Sequence, residues 1–116
     1  MNVEEIRNYC LTKKGVTESF PFDNDTLVFK LLDKMFLLVS LEKQPVSFNA
    51  KCNPEKAIQL REQFPDNIFP GYHMNKIHWN TIIVNETLGW QLVKEQIDSS
   101  YELILKSLPK SKQLML

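Results

Sequence analysis

The chain is 116 residues long and 43% hydrophobic, with 14 lysines and arginines against 14 aspartates and glutamates, a formal net charge of zero. A chain of this length folds as one domain and buries roughly two thirds of its unfolded surface without metal or disulfide support. Balanced charge excludes a global positive field drawing the molecule onto nucleic acid or an anionic membrane, so any such binding has to come from local charge.

Asn2 is a candidate N-cap for a helix over residues 2 to 12. Val3, Ile6 and Cys10 recur at helical spacing, and Glu4 and Glu5 complement the dipole in the first turn. Lys13, Lys14 and Gly15 read as its last turn and C′ position. From Thr26 the period becomes two. Leu27, Phe29 and Leu31 share one face of a first strand, with Val28 and Lys30 on the other, up to a turn at Asp33-Lys34. KMFLLVSLE is apolar enough on both sides to be a central strand. It closes at Gln44-Pro45, before VSFNAK places Val46, Phe48 and Ala50 inward and Ser47, Asn49 and Lys51 outward. These three strands form an antiparallel meander.

NPEKAIQLREQF starts a second helix, with Asn53 as cap and Pro54 at the first helical position, and Pro65 stops it. HWNTIIV alternates as a fourth strand. Trp90, Val93, Ile97, Ile104 and Leu108, with Tyr101 beside the stripe, then give a long closing helix ended by Pro109. KSKQLML has no cap or turn logic, so one α+β domain is expected over residues 1–109 and a flexible tail over 110–116.

Cys10 and Cys52 are too few for a disulfide framework and neither lies in a C-x-x-C pair, which fits a reducing compartment, and a cytoplasmic location is expected. MNVEEIRNYC has two acids and no apolar run, and no stretch of roughly eighteen uncharged apolar residues occurs, so neither a signal peptide nor a membrane span is expected. His73 and His78, five residues apart, fall on different faces of a helix and opposite faces of a strand, so they do not ligate one ion on regular backbone. No metal or other cofactor is expected. Neither cysteine sits in a nucleophile signature, the acids are scattered, and three glycines offer no phosphate-cradling loop; no catalytic residue is assigned.

The basic residues are more suggestive. Lys30 and Lys51 fall on outward faces of neighbouring strands, Lys34 and Lys43 occupy the two hairpin turns, and Lys76 sits beside Asn75, His78 and Asn80. Lysine-bearing hairpin tips can straddle a phosphate backbone. The same side chains also serve as solvated edge lysines that discourage strand-to-strand aggregation.

ESFPFDNDTLVFKLLDKMFLLVS, KCNPEKAIQLREQF, PGYHMNKIHWNTIIV and SSYELILKSLP, in this order between Val16 and Leu108, resemble the MmcQ/YjbR-like family of small bacterial proteins. The resemblance implies a frataxin-like (CyaY-like) α+β fold, with helices packed on one face of an antiparallel sheet, and a double-wing DNA-binding role. The family's motif positions here are Pro21, Phe22, Lys34, Lys51, Pro54, Tyr72, His73, Asn75, Lys76, His78, Trp79, Asn80, Ser100 and Tyr101. Asp33 stands where the family commonly has glycine, and Asn85-Glu86-Thr87 where a glycine-containing turn is common; a carboxylate at a wing tip weakens phosphate attraction locally.

Within PGYHMNKIHWN, Pro70-Gly71 makes a bend with Gly71 at a point where a side chain would clash. Tyr72 and Trp79 are expected to anchor it, and the asparagines and histidines to satisfy its unpaired amides, which leaves Lys76 with the least structural reason to be there. The expected function is contact with a DNA phosphate backbone through Lys30, Lys34, Lys43, Lys51 and Lys76. The alternative is a non-enzymatic module binding a small anion or other ligand, or a protein, at Tyr72, His73, Asn75, His78 and Asn80. A monomer is expected, with no membrane partner.

Overall fold

The computed structural model describes residues 2–116. Helix α1 (Val3–Leu11) opens with a capping box in which the Asn2 side chain accepts from the Glu5 amide and the Glu5 carboxylate from the Asn2 amide. Gly15, at φ 76°, turns the chain into β1 (Val16–Ser19). Then come β2 (Thr26–Leu31), β3 (Lys34–Ser40), β4 (Val46–Lys51), α2 (Pro54–Gln63), β5 (Ile68–Pro70), β6 (Trp79–Val84), α3 (Trp90–Ser107) and a short α4 (Lys110–Gln113). The Asn53 side chain caps α2 by accepting from the amides of Glu55 and Lys56.

The six strands form one antiparallel sheet in the order β1-β2-β3-β4-β6-β5. Its helix-covered face carries Leu27, Phe29 and Leu31 from β2 and Val46, Phe48 and Ala50 from β4, packed against Ile6, Cys10, Val93, Ile97 and Ile104. The sheet thus exceeds the four expected strands at both edges. VTES and IFP are too short and irregular to show a period, and exist as strands because β2 and β6 offer them free ladder groups.

Between β2 and β3 the register shifts, with Phe29 opposite Leu37 but Lys30 opposite Met35, so Phe36 is an extra residue and Phe36 and Leu37 both join the helix-side core. The β3–β4 ladder accordingly stops at Leu37–Ala50. Beyond it, the Ser100 hydroxyl on α3 donates to the Phe36 carbonyl at 2.5 Å and accepts from the Lys51 amide at 2.9 Å. A buried side chain therefore replaces one rung of the sheet.

On the outer side of α1 and α3, Tyr9 and Lys13 both donate to Asp98 at 2.6 Å. Burial alone would raise the Asp98 pKa, but these two donors outweigh it and hold the carboxyl below its usual range. Burial and the bond to Asp98 push Tyr9 up to about 12. The expected flexible tail is instead helical over α4, and the Leu116 side chain lies against Gly15 and packs on the core. No apolar period marks this segment, because its only packing residue is the last one.

Candidate binding groove on the uncovered sheet face

Among the described residues, no helix covers the second face of the sheet. Alternation puts Val28 and Lys30, Met35 and Leu38, Asn49 and Lys51, and Trp79 and Thr81 on that side. Val28, Leu38 and Trp79 form a small second core there, with Met35 and Met74 against it. Two connections fold over this face: residues 20–25 between β1 and β2, and residues 71–78 between β5 and β6. They bound a groove of about 480 Å³, floored by Leu38, Ser47, Asn49 and Thr81, walled by Phe22, Met35, Tyr72 and Met74, and rimmed by Asp23, Lys43 and His73.

Each strap is held by named bonds. In the first, the Asp23 carboxylate accepts from the amides of Asp25 and Thr26 at 2.9 and 2.7 Å, and from the Thr26 hydroxyl at 3.2 Å. The two amides keep the Asp23 carboxyl below its ordinary range. In the second, Thr81 accepts from the Tyr72 amide at 2.8 Å and donates to Asn49 Oδ1 at 2.5 Å, while Asn49 Nδ2 donates to the Tyr72 carbonyl at 3.4 Å. This ring of three residues fixes the Tyr72 peptide over the sheet. Asn75 Oδ1 accepts from the amides of Ile77 and His78 at 2.9 and 3.2 Å.

The far side of the second strap is clamped from α2. Arg61 Nε donates to Asn80 Oδ1 at 2.8 Å, and its Nη2 to the carbonyls of Lys76 and Trp79. Asn80 is 2% exposed, and its Nδ2 has no partner. At Gly71 a Cβ would lie 2.8 Å from the Trp79 Cβ and 3.0 Å from its carbonyl oxygen, the clash anticipated from the sequence. The left-handed residue of this strap is His73, at φ 60°, with its ring 4.0 Å from that of Tyr72. Backbone strain of this kind is retained where the surroundings over-determine it.

Several residues sit differently from their sequence assignment. Trp79 anchors the bend as expected, but Tyr72 is 57% exposed and stands at the groove mouth. Asn75 does satisfy strap amides, whereas the described contacts give neither histidine side chain a hydrogen bond. Of the five alternative ligand residues, Tyr72 and His73 line the groove. Asn80 points to the helix side, Asn75 is occupied by its own turn, and His78 contributes a backbone carbonyl to the Cys52 amide.

The five lysines do not form one row. Lys30 and Lys51 share the uncovered face, and Lys43 lies in the β3–β4 turn with its Nζ 5.0 Å over the Tyr72 ring. Lys76 has a structural task, donating to the Gly71 carbonyl at 3.1 Å. Lys34 reaches Ser107 on α3 at 3.4 Å, on the other side of the sheet and at the opposite end of β3 from Lys43, so these two lysines do not share one surface. Asn49, Thr81 and Arg61 were not identified from the sequence. The available signal was MFLLV, apolar on both faces, which requires something to cover the side away from the helices.

Fold and groove define a small α+β protein class in which an antiparallel sheet is covered by helices on one face and strapped by two loops on the other. The YjbR family model matches residues 11–103, and the chain belongs to that family. It is 30% identical to Uncharacterized protein YjbR of Escherichia coli strain K12 over 116 residues, covering 100% of this chain and 98% of the relative. It is 35% identical to Uncharacterized protein YbdF of Escherichia coli O157:H7 over 110 residues, covering 95% of this chain and 89% of the relative. Among solved structures, Deinococcus radiodurans DR2400, with a DUF419 domain, superimposes with a TM-score of 0.92 at 35% identity, over 98% of this chain and 86% of that one. A Pseudomonas syringae protein, structural-genomics target PsR293, superimposes at 0.75 with 29% identity, over 89% of this chain and 98% of that one. No helix among the described residues is long and apolar enough to cross a membrane.

Proposed function

We propose that the protein is a non-enzymatic binding module that takes a small organic ligand between the 20–25 and 71–78 straps. The groove carries this proposal: about 480 Å³ falls inside the roughly 300–1,000 Å³ of small-molecule sites, with apolar walls and a few polar groups converging from rigid strands. Phe22, 64% exposed, and Tyr72 at the mouth are large aromatic surfaces left in water, as expected where a partner completes them. The two buried, unpaired cysteines favour a cytoplasmic setting for the module.

N-phenyl-1-naphthylamine, a neutral fluorescent probe, tests the proposal. Saturable micromolar binding is expected, abolished by Ser40→Trp, which fills the groove from an open-face strand position. Absence of saturable binding to the native protein, or unchanged binding to Ser40→Trp, overturns it.

DNA is the second candidate partner, favoured by Lys30 and Lys51, which lie on the uncovered face and are in no ion pair among the described residues. With Lys43 included, about three phosphate contacts would give a log–log salt slope near −2.7. A labelled duplex titrated at two salt concentrations tests this, and a salt-independent or absent signal excludes it.

A further inference from the structure

We propose that the ligand is a flat aromatic molecule bearing one negative group, with that group seated at the β3–β4 end of the groove; this rests on the groove being the binding site. Among the described residues, Asp23 and Lys43 are the only aspartate, glutamate, lysine or arginine side chains in the lining, and they are not equivalent. Both Asp23 oxygens are taken up by its own turn. Lys43 has no carboxylate partner among the described residues, and its ammonium lies near a ring rather than an acid. The open charge of the groove is therefore a cation.

Two further donors stand at the same end. Ser40 closes β3 and Ser47 follows the first residue of β4, on either side of the turn that carries Lys43, and both line the groove. Neither hydroxyl has a hydrogen bond to the protein among the described residues, although Ser47 is only 8% exposed. An ammonium and two uncommitted hydroxyls lining the same end of the groove offer donors to a carboxylate or sulfonate, since charge-assisted bonds to such oxygens are the strong ones. The remaining walls suit a ring. Thioether sulfurs pack favourably on aromatic edges and faces, and here Met35 and Met74 stand within the same groove as the exposed rings of Phe22 and Tyr72.

The probe 8-anilinonaphthalene-1-sulfonate and N-phenyl-1-naphthylamine share an aromatic body and differ by the sulfonate. The sulfonate is expected to bind at least tenfold tighter, with the advantage shrinking in high salt. Lys43→Met, an exposed turn position, should weaken the sulfonate about tenfold and leave the neutral probe within twofold. Displacement of the bound sulfonate by 2-naphthoate, and not by decanoate at equal concentration, is expected. Equal affinity for both probes with no effect of Lys43→Met overturns the anion preference, and equal displacement by decanoate overturns the flat ring. Failure of both probes to bind removes the groove as a ligand site altogether.

Discussion

Replacing Arg61 with alanine tests how the groove wall is held. The guanidinium is the donor for Asn80 Oδ1 at 2.8 Å and for the carbonyls of Trp79, at 3.3 Å, and Lys76. Water can take over at the exposed Lys76 carbonyl, and the Trp79 bond is long, so most of the loss falls on Asn80, which is 2% exposed and already has an unpartnered Nδ2. A hydrogen bond from a charged donor to a buried acceptor contributes about 1.5–3 kcal/mol. With an unfolding entropy of roughly 2.1 cal/mol/K per residue over 116 residues, about 0.24 kcal/mol/K, a loss of about 2.5 kcal/mol lowers Tm by about 10 °C. Calorimetry and urea unfolding measure both quantities. The strap should also loosen, weakening probe binding by more than the stability change explains. Arg61→Lys should not rescue, because a point charge cannot serve three acceptors in a fixed fork. A Tm shift under about 2 °C, or full rescue by lysine, refutes the clamp.

Ser100→Ala leaves the buried Phe36 carbonyl and Lys51 amide without partners, so urea unfolding should give a loss of about 2–4 kcal/mol, large for the removal of one oxygen. His73→Gly relieves a left-handed residue and should raise stability by up to about 1 kcal/mol while weakening probe binding, since the ring tilted against Tyr72 at the groove rim is removed. Glu18, held below its usual range by the Arg7 hydrogen bond, and Asp98, held down by Lys13 and Tyr9, both favour the folded state when ionised. Their contribution is complete above the unfolded carboxylate values of about 3.9–4.3 and fades as pH falls below them, so the urea midpoint should drop between pH 5 and 3, and less steeply in Glu18→Gln.

The local sequence determined the helices more fully than the site. Asn2 with Glu5, and Asn53 with Pro54, are cap signals that act within three residues, and both helices start where those signals put them. Leu27, Phe29 and Leu31 carried their face by alternation alone. β1 and β5 were not legible, because a strand of three or four residues at a sheet edge is defined by its neighbour rather than by its own period. The extra residue at Phe36 was hidden for a related reason: a bulge is a mismatch between two strands, and Ser100, which repairs it, comes 64 positions later. Tyr72 and His73 stand out as candidate ligand residues by their chemistry, and both line the groove. Asn49 and Thr81 looked like ordinary outward polar residues, and only the strap that crosses them gives them partners.

The most direct measurement is a map of backbone amide shifts in isotope-labelled protein titrated with 2-naphthoate. The largest changes should lie in residues 22–26 and 72–74 and on the groove strands around Leu38, Ser47 and Thr81, with α1 and α3 unmoved. Changes concentrated on the helix-covered face, or none at millimolar ligand, would contradict the assignment of the uncovered sheet face as the working surface of this protein.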